Sequence, residues 1–284
     1  MQEAIGDALD GIAVVALATN IPGPLAAASL RSMGARVTKV EPQHGDPLQA
    51  AAARWYAAIV AGMEVERLDL RSGAGKERMT ELLSDADLLV TSTRAGALAR
   101  AQLDWPVLHE RYPRLSHVAI VGEGFPNDDR AGHDLTYQAR AGLLSPPAMP
   151  RTVVADLAAA QRSVTAALAA LRKRDREGRG VRVDVAIVDA AADFAAPLRY
   201  GLTGPRDVLG GGFAAYSLYR ASDGWVAVAA LEEHFASRLR SVLGIDRLSA
   251  PELERAIAAR SMTEWERLAE EHDLPLAAVS EEKG

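Results

Sequence analysis

The first part of the chain alternates short apolar runs with amphipathic stretches. Ile12–Ala18 is an apolar run bounded by turn residues, which is typical of a strand buried on both faces. Leu25–Met33 has the pattern of a helix that ends at Gly34, and Arg36–Glu41 predicts the next strand. A strand, a helix and a strand within about thirty residues indicate a parallel, right-handed β-α-β unit.

The same alternation continues past the middle of the chain. Further strands are predicted at Val65–Leu70, Ala86–Thr91, Leu115–Val121 and Val181–Val188. Further helices are predicted at Gly75–Leu83, Ala95–Ala101, Leu135–Leu144 and Ala155–Arg174. The alternation over the first ~125 residues predicts an α/β fold with a Rossmann-like, doubly wound parallel sheet, whereas the strand at Val181–Val188 falls in the smaller domain predicted below.

The pattern changes after a glycine loop at Gly210–Gly212. Ala215–Tyr219 and Trp225–Ala230 predict a hairpin that turns at Asp223-Gly224. Two charged amphipathic helices follow, at Pro251–Ala259 and Thr263–Glu271. We therefore predict a large Rossmann-like domain over residues 1–180 and a smaller α+β domain with C-terminal helices over residues 181–284.

Composition narrows the chemistry. The chain has 284 residues, of which 49% are hydrophobic and 25% charged, as expected for a globular protein of about two domains. It has no cysteine, which excludes disulfides, thiolate metal sites and cysteine nucleophiles. Its net charge of −6 is opposite in sign to the charge that a nucleic-acid binder needs, so we expect no nucleic-acid partner.

Neither a membrane segment nor a metal site is predicted. Ile12–Leu30 is uncharged, but Asn20, Pro22 and Pro24 divide it into a strand and the start of a helix. The first ten residues are acidic, whereas a signal peptide begins with basic residues. We therefore expect a cytoplasmic protein without a membrane partner.

Several motifs in the predicted order resemble those of family III CoA-transferases. They are Gly11-Ile-Ala-Val-Val15, Met33–Pro42, Gly45-Asp-Pro47, Leu68-Asp-Leu-Arg71, Ala86–Val90, Gly132-His-Asp-Leu-Thr-Tyr-Gln-Ala139 and Val183–Asp189. This superfamily contains the carnitine and bile-acid CoA-transferases and α-methylacyl-CoA racemase. Each piece is weak alone, but Gly-His-Asp followed by Tyr-Gln-Ala between two matching α/β segments is fairly specific.

The resemblance implies an enzyme that acts on acyl-CoA. It implies a CoA-binding large domain, a small domain and two chains interlinked as rings in a homodimer. Each active site of such a dimer lies between the large domain of one chain and the small domain of the other. CoA thioester enters as substrate, and no permanently bound cofactor is expected.

Asp156 is the first candidate catalytic residue. The resemblance implies that its carboxylate either attacks the thioester, as in the transferases, or moves the α-proton, as in the racemase branch. The local sequence alone favours a different role, because Asp156 stands at the start of an alanine-rich helix and aspartate is a common N-cap. The catalytic and capping roles are compatible.

His133 and Glu232 complete a racemase-like set. The resemblance implies that His133 and Asp156 flank the α-carbon of the substrate, and histidine is the usual acid–base residue near neutral pH. Glu232 lies in an Ala-Leu-Glu motif that resembles the racemase branch, where the glutamate pairs with the histidine. Without the resemblance, Glu232 is equally consistent with a surface residue at a helix start.

Lys39 and Arg94 are the candidate ligands of the CoA phosphates, together with the N-terminus of the helix after the first strand. Both residues match basic positions of the family. Two departures weaken this prediction. Ala95 stands where the family has proline, and Ala57–Gly62 lacks the basic run that family members commonly carry. The chain is also short for the family.

Three functional hypotheses follow. The leading one is racemase-like exchange of the α-proton of a 2-methylacyl-CoA by Asp156, His133 and Glu232. The alternative is a CoA-transferase that moves CoA between carboxylic acids through an aspartyl-CoA thioester on Asp156. The third is a diverged acyl-CoA binder without catalytic activity, which the missing basic run favours.

Overall fold

The computed structural model of the protein describes residues 5–128 and 130–279. The chain divides into two compact units, Met1–Ala195 and Ala196–Gly284. Each unit has its own hydrophobic core and is described separately.

Six parallel strands form the sheet of the first unit, as far as the described residues show. They are β1 (Ala13–Leu17), β2 (Arg36–Glu41), β3 (Glu64–Arg67), β4 (Leu88–Thr91), β5 (Ser116–Val121) and β6 (Arg182–Ala186). Their order is β3-β2-β1-β4-β5-β6, and all five neighbouring pairs are parallel. This is the strand order of a Rossmann fold, so the predicted α/β architecture is confirmed.

The central strands are buried on both faces because helices cover both sides of the sheet. Val14 of β1 and Val90 of β4 face a core that includes alanines of one long helix, whereas Val15 and Leu89 face a second core. Neighbouring residues of a strand point to opposite faces, so the continuous apolar runs follow directly from this arrangement.

The helices of this unit that have a long amphipathic pattern begin and end close to their predicted positions. They are α1 (Pro22–Ser32), α2 (Pro47–Ala51), α3 (Ala53–Val60), α4 (Gly73–Ser84), α5 (Ala95–Arg100), α6 (Trp105–Arg111), α7 (Asp134–Ala141), α8 (Val154–Glu177) and α9 (Ile187–Phe194). The sequence analysis missed α2, α3, α6 and α9.

The boundary between the two compact units lies after Ala195, which is C-terminal to the predicted domain boundary. We predicted a boundary after residue 180, but β6 pairs with β5 over His117–Val121 and Arg182–Ala186. The following helix α9 begins at Ile187 and packs against α8, so both elements belong to the first unit.

The second unit contains a small antiparallel sheet of three strands within the described residues. Its elements are α10 (Ala196–Arg199), a 3-10 turn (Val208–Gly210), β7 (Tyr216–Arg220), β8 (Trp225–Ala229), α11 (Glu233–Leu243), α12 (Ala250–Ala258), α13 (Met262–His272) and β9 (Leu276–Ala278). The predicted hairpin is confirmed, with β7 paired to β8. Trp265 is fully buried and its indole N–H donates to the carbonyl of Ile257 at 3.0 Å.

Within residues 5–128 and 130–279, every helix is too short or too polar to cross a lipid bilayer.

Candidate functional site

The strand order places a crevice at the carboxyl ends of β1 and β4. The connections from these neighbouring strands leave in opposite directions, which opens a space above the sheet where ligands bind in folds of this kind. Residues that follow β1 and β4, such as Thr19 and Thr93, line cavities at this edge.

The first cavity has a volume of about 710 Å³ and lies at the ends of β1, β2, β3 and β4. Three cationic side chains line it: Arg71, Lys76 and Arg100. Arg71 also donates to Asp69 through its Nε at 3.0 Å. The cavity therefore offers positive charge at a site where the sequence analysis did not expect it.

Two further cavities continue from the first. The second, of about 140 Å³, shares Thr19 and Thr93 with the first cavity and is also lined by Arg94. The third, of about 480 Å³, shares Asn20, His133 and Asp156 with the second. The three cavities therefore follow one another along the carboxyl edge of the sheet, with His133 and Asp156 where the second meets the third.

The third cavity has a largely apolar wall. The apolar residues that line it are Ile21, Pro47, Leu48, Ala51, Leu135, Met149, Pro150 and Val153. Its polar lining includes His133 and Asp156, which lie at its junction with the second cavity.

His133 is exposed and stands directly before α7. The Thr136 hydroxyl accepts from the backbone N–H of His133 at 3.1 Å and donates to its carbonyl at 2.8 Å. The backbone that carries the imidazole is therefore fixed by the first turn of the helix.

Asp156 lies in the first turn of α8 but does not cap it. The residue at the N-cap position is Val153, whose side chain makes no capping hydrogen bond. Asp134 Oδ1 instead accepts from the backbone N–H groups of Ala155 at 2.9 Å and Asp156 at 3.1 Å. The predicted capping role of Asp156 is therefore wrong, and the neighbour of His133 holds Asp156 beside the cavities.

Burial makes Asp156 an unusually weak acid. Loss of solvent and, to a lesser extent, the negative charge of Asp134 together raise the pKa of its carboxyl group to about 7. A carboxyl group of this strength both accepts and donates a proton near neutral pH, as acid–base catalysis requires.

Tyr137 is a buried residue of the second cavity to which the sequence analysis gave no chemistry. Burial raises the pKa of its hydroxyl, and the charges of Glu123 and Asp156 act in the same direction. A Cβ atom at Gly122 would lie 2.2 Å from its oxygen, and one at Gly132 would lie 2.3 Å from it. The two glycines therefore make the space that the hydroxyl occupies.

The structure does not place Lys39 at a phosphate site. Its side chain is fully buried, and its ammonium group donates to Glu41 Oε1 at 2.5 Å and Asp46 Oδ2 at 2.8 Å. The Tyr56 hydroxyl also donates to Glu41 Oε1, at 2.6 Å. The ammonium group is paired with two carboxylates and has no exposed surface, so the predicted phosphate contact is replaced by a structural role.

The same cluster fixes the loop after β1. Asp46 Oδ1 accepts from the backbone N–H groups of Asn20 and Leu48, both at 2.9 Å. Asn20 has a left-handed backbone (φ 67°) and lines the second and third cavities. Lys39 therefore supports the site from behind, through Asp46 and Asn20.

The other predicted residues lie in different places. Arg94 is exposed and lines the second cavity, so its contact with CoA stays a prediction. The N-terminus of α1 is a poor phosphate site, because Pro22 and Pro24 have no N–H and are buried. Glu232 belongs to the second unit, where it is exposed directly before α11, and its pairing with His133 stays a prediction.

Sequence reasoning missed Asp134 and the three cations of the first cavity. Asp134 directly follows His133 in the quoted motif, but its partners are about twenty residues away. Lys76 follows a glycine pair at Gly73 and Gly75 that does not match a phosphate-binding loop, since Leu70 replaces its first glycine. In the described part of the chain, no group of three His, Asp or Glu side chains is placed to hold a metal ion.

Comparison with known families supports the resemblance. The model of the family described as CoA-transferase family III matches residues 9–283. The alpha subunit of succinyl-CoA–L-malate CoA-transferase from Chloroflexus aurantiacus is 32% identical over 285 residues, which cover 89% of this chain and 66% of that protein. The chain thus spans slightly less than two thirds of the length of this relative.

The chain is also similar to a racemase in sequence and to a solved crystal structure in fold. Human alpha-methylacyl-CoA racemase is 31% identical over 276 residues, which cover 91% of this chain and 69% of that protein. The crystal structure of the hypothetical protein Rv3272 from Mycobacterium tuberculosis superposes with a TM-score of 0.82 at 25% identity. That superposition covers 96% of this chain and 83% of the other.

We expect Lys39→Met to destabilise the first unit by about 3–5 kcal/mol, because it leaves Glu41 and Asp46 buried without their cation. Urea denaturation measures the change. The control Lys173→Met removes an exposed pair with Glu177 at 3.9 Å and should change stability by less than about 0.5 kcal/mol. A loss below about 1 kcal/mol for Lys39→Met would show that the cluster is not a structural support.

Proposed function

This chain belongs to CoA-transferase family III, and from that premise we propose that it exchanges the α-proton of an acyl-CoA thioester, with a 2-methylacyl group as substrate. One observation carries the proposal. Two acid–base side chains, His133 and Asp156, line the same two cavities, and one of them is a carboxyl group with a pKa of about 7.

The proposed reaction uses the two side chains in opposite protonation states. The ionised Asp156 carboxylate takes the α-proton, and the electron pair of the broken C–H bond passes into the thioester as an enolate. The protonated His133 then returns a proton to the other face of the α-carbon. For the opposite epimer the two residues exchange roles, so Asp156 must be protonated before the reaction begins.

The series of cavities supports an arrangement of the substrate. Arg71, Lys76 and Arg100 are suited to the phosphates of CoA in the first cavity. The smaller second cavity, with Arg94, takes the extended arm of CoA, and the apolar third cavity takes the acyl chain beyond the α-carbon. CoA enters as part of the substrate, and we propose no permanently bound cofactor.

A CoA-transferase is the second candidate function, and the name of the Chloroflexus relative favours it. In that reaction Asp156 attacks the thioester carbon, the C–S bond breaks and CoA leaves as a thiolate. The thiolate then attacks the resulting anhydride, which releases the first carboxylate and leaves an aspartyl-CoA thioester. A pKa near 7 suits proton transfer better, because part of the carboxyl group is protonated and not nucleophilic at neutral pH.

Glu232 enters the proposal through the dimer. Family resemblance implies that the small domain of one chain completes the site of the other, where Glu232 would pair with His133. The sheet of the second unit supports such a contact, because Leu218 and Trp225 remain 59% and 41% exposed on it.

A cytoplasmic location and the absence of a nucleic-acid partner stay predictions from the sequence.

We expect deuterium from D2O to enter the α-position of a 2-methylacyl-CoA during incubation with the protein. Asp156→Asn and His133→Gln should each slow this exchange by about 10²–10⁴-fold, because each removes one proton carrier. Asp175→Asn on the same helix and His272→Gln are controls that should retain the exchange rate. Mass spectrometry measures the label.

The same experiment separates the three hypotheses. An absence of exchange, together with a hydroxylamine-sensitive CoA adduct on Asp156 in the presence of an acceptor acid, would establish the transferase instead. Binding of the CoA thioester in calorimetry without exchange or adduct would leave the non-catalytic binder.

We expect Arg71→Gln, Lys76→Gln and Arg100→Gln each to weaken CoA thioester binding about tenfold, since each removes a charge-assisted contact with a phosphate. Isothermal titration calorimetry measures the dissociation constant. Lys173 is exposed on α8, so the control variant Lys173→Gln should bind the CoA thioester with the native affinity. Normal binding by all three variants would place the phosphates elsewhere.

We expect Glu232→Gln and Asp156→Asn to complement each other in a mixed dimer. If each site combines two chains, one of the two sites in the mixed dimer has both native residues, so about half of the native exchange rate should remain. Co-expression with two affinity tags isolates this species. An inactive mixed dimer, or a monomer in sedimentation, would refute the shared site.

A further inference from the structure

Asp134 is a buried carboxylate that the proposed reaction does not use. It is 8% exposed and is adjacent in sequence to His133. Its Oδ1 accepts from the backbone N–H groups of Ala155 and Asp156, at 2.9 and 3.1 Å. Its Oδ2 accepts from the Gln138 side chain at 2.6 Å.

Gln138 ties this carboxylate to the loop before α8. Its side chain is almost fully buried, and its Nε2 atom donates both to Asp134 and, at 3.1 Å, to the carbonyl of Thr152. A carboxylate has only acceptors, so the three N–H groups that surround Asp134 are satisfied at once. We call Asp134, Gln138 and the two backbone N–H groups of α8 the clasp.

We propose that Asp134 is a positioning residue: through the clasp it fixes the separation of His133 and Asp156 and places a negative charge behind Asp156. The inference rests on the proposed proton exchange. His133 is joined to Asp134 by one peptide bond, and Asp156 is joined to it by one hydrogen bond. Few torsion angles therefore separate the two acid–base groups.

The negative charge of Asp134 and the N-terminus of α8 have opposite effects on the pKa of Asp156. The N-terminus of a helix stabilises an ionised carboxylate in its first turn, which would make Asp156 a stronger acid. Asp134 occupies two N–H groups of that turn and brings its own negative charge, which favours the protonated form of Asp156.

Other titratable groups face the same space. These groups are His133 at the N-cap of α7, Tyr137 from α7, Arg94 after β4, Asp128 and Arg130 from the loop after β5, and Arg151 from the loop before α8. Asp134 contacts the backbone of Asp156 directly and carries the charge that adds to the effect of burial on its pKa.

The test is Asp134→Asn in the whole protein. Asparagine keeps the Oδ1 acceptor for the two amides and removes the charge. Carbon-13 NMR of aspartate carboxyl groups, with the Asp156 signal assigned through Asp156→Asn, measures the pKa without any substrate. We expect the pKa of Asp156 to fall by about one unit. The control Asp175→Asn should leave it unchanged.

The pH dependence of exchange gives a second readout. For the epimer whose proton Asp156 removes, kcat/KM falls at low pH, where Asp156 is protonated. For the opposite epimer it falls at high pH, where Asp156 is ionised. Asp134→Asn should move both limbs to lower pH, whereas a purely structural role would lower the rate at every pH and leave the limbs in place.

A second variant tests the geometry separately from the charge. Gln138→Ala keeps the carboxylate of Asp134 but removes its orienting donor. We expect kcat to fall about tenfold or more with little change in KM, because the two acid–base groups lose their fixed separation. An unchanged kcat would overturn the positioning role, and this result is available even if Asp134→Asn does not fold.

The two proposals fail in different ways. If the native protein exchanges α-protons but Asp134→Asn leaves the Asp156 pKa and both limbs unmoved, the clasp inference is wrong. If the pKa moves as expected but the native protein exchanges no α-protons, the proposed function is wrong and the electrostatic part of the clasp remains.

Discussion

Two buried carboxylates hold the loops on which the candidate site is built. A loop and the first turn of a helix both leave backbone N–H groups without partners, and burying such groups unpaired is costly. Asp46 satisfies the N–H groups of Asn20 and Leu48, and Asp134 satisfies those of Ala155 and Asp156. The parallel sheet brings the connections to one edge, but these two side chains decide where the connections lie above it.

The negative charges of Asp46 and Asp134 have different partners, and the difference follows from where each side chain lies. Asp46 is buried, lines none of the three cavities and forms an ion pair with Lys39, which also pairs with Glu41. Asp134 accepts from three neutral N–H donors, and its negative charge raises the pKa of Asp156. One network therefore serves rigidity, while the other also sets the acidity of a neighbouring group.

The local sequence pattern predicted those strands and helices whose buried residues recur at regular spacing along the chain. The apolar run at β1 and the long alanine-rich face of α8 are both of this kind. Lys39 was misassigned because its burial depends on Glu41, Asp46 and Tyr56 together, which no local pattern contains. His133 and Asp156 were found through family resemblance, whereas Asp134 acts on residues that only the fold brings near.

The position of Tyr137 between two glycines has a consequence for redesign of the second cavity. Its hydroxyl fills the space that side chains at Gly122 and Gly132 would need, so the three positions share one volume. Shortening the tyrosine to phenylalanine would remove the 2.2 Å contact at Gly122 and leave Cζ at 3.2 Å, whereas a Cβ atom at Gly132 would still lie 2.5 Å from Cζ and 2.8 Å from Cε1. A side chain at Gly122 therefore needs only the loss of the hydroxyl and a small shift, whereas a side chain at Gly132 requires the whole aromatic ring to move.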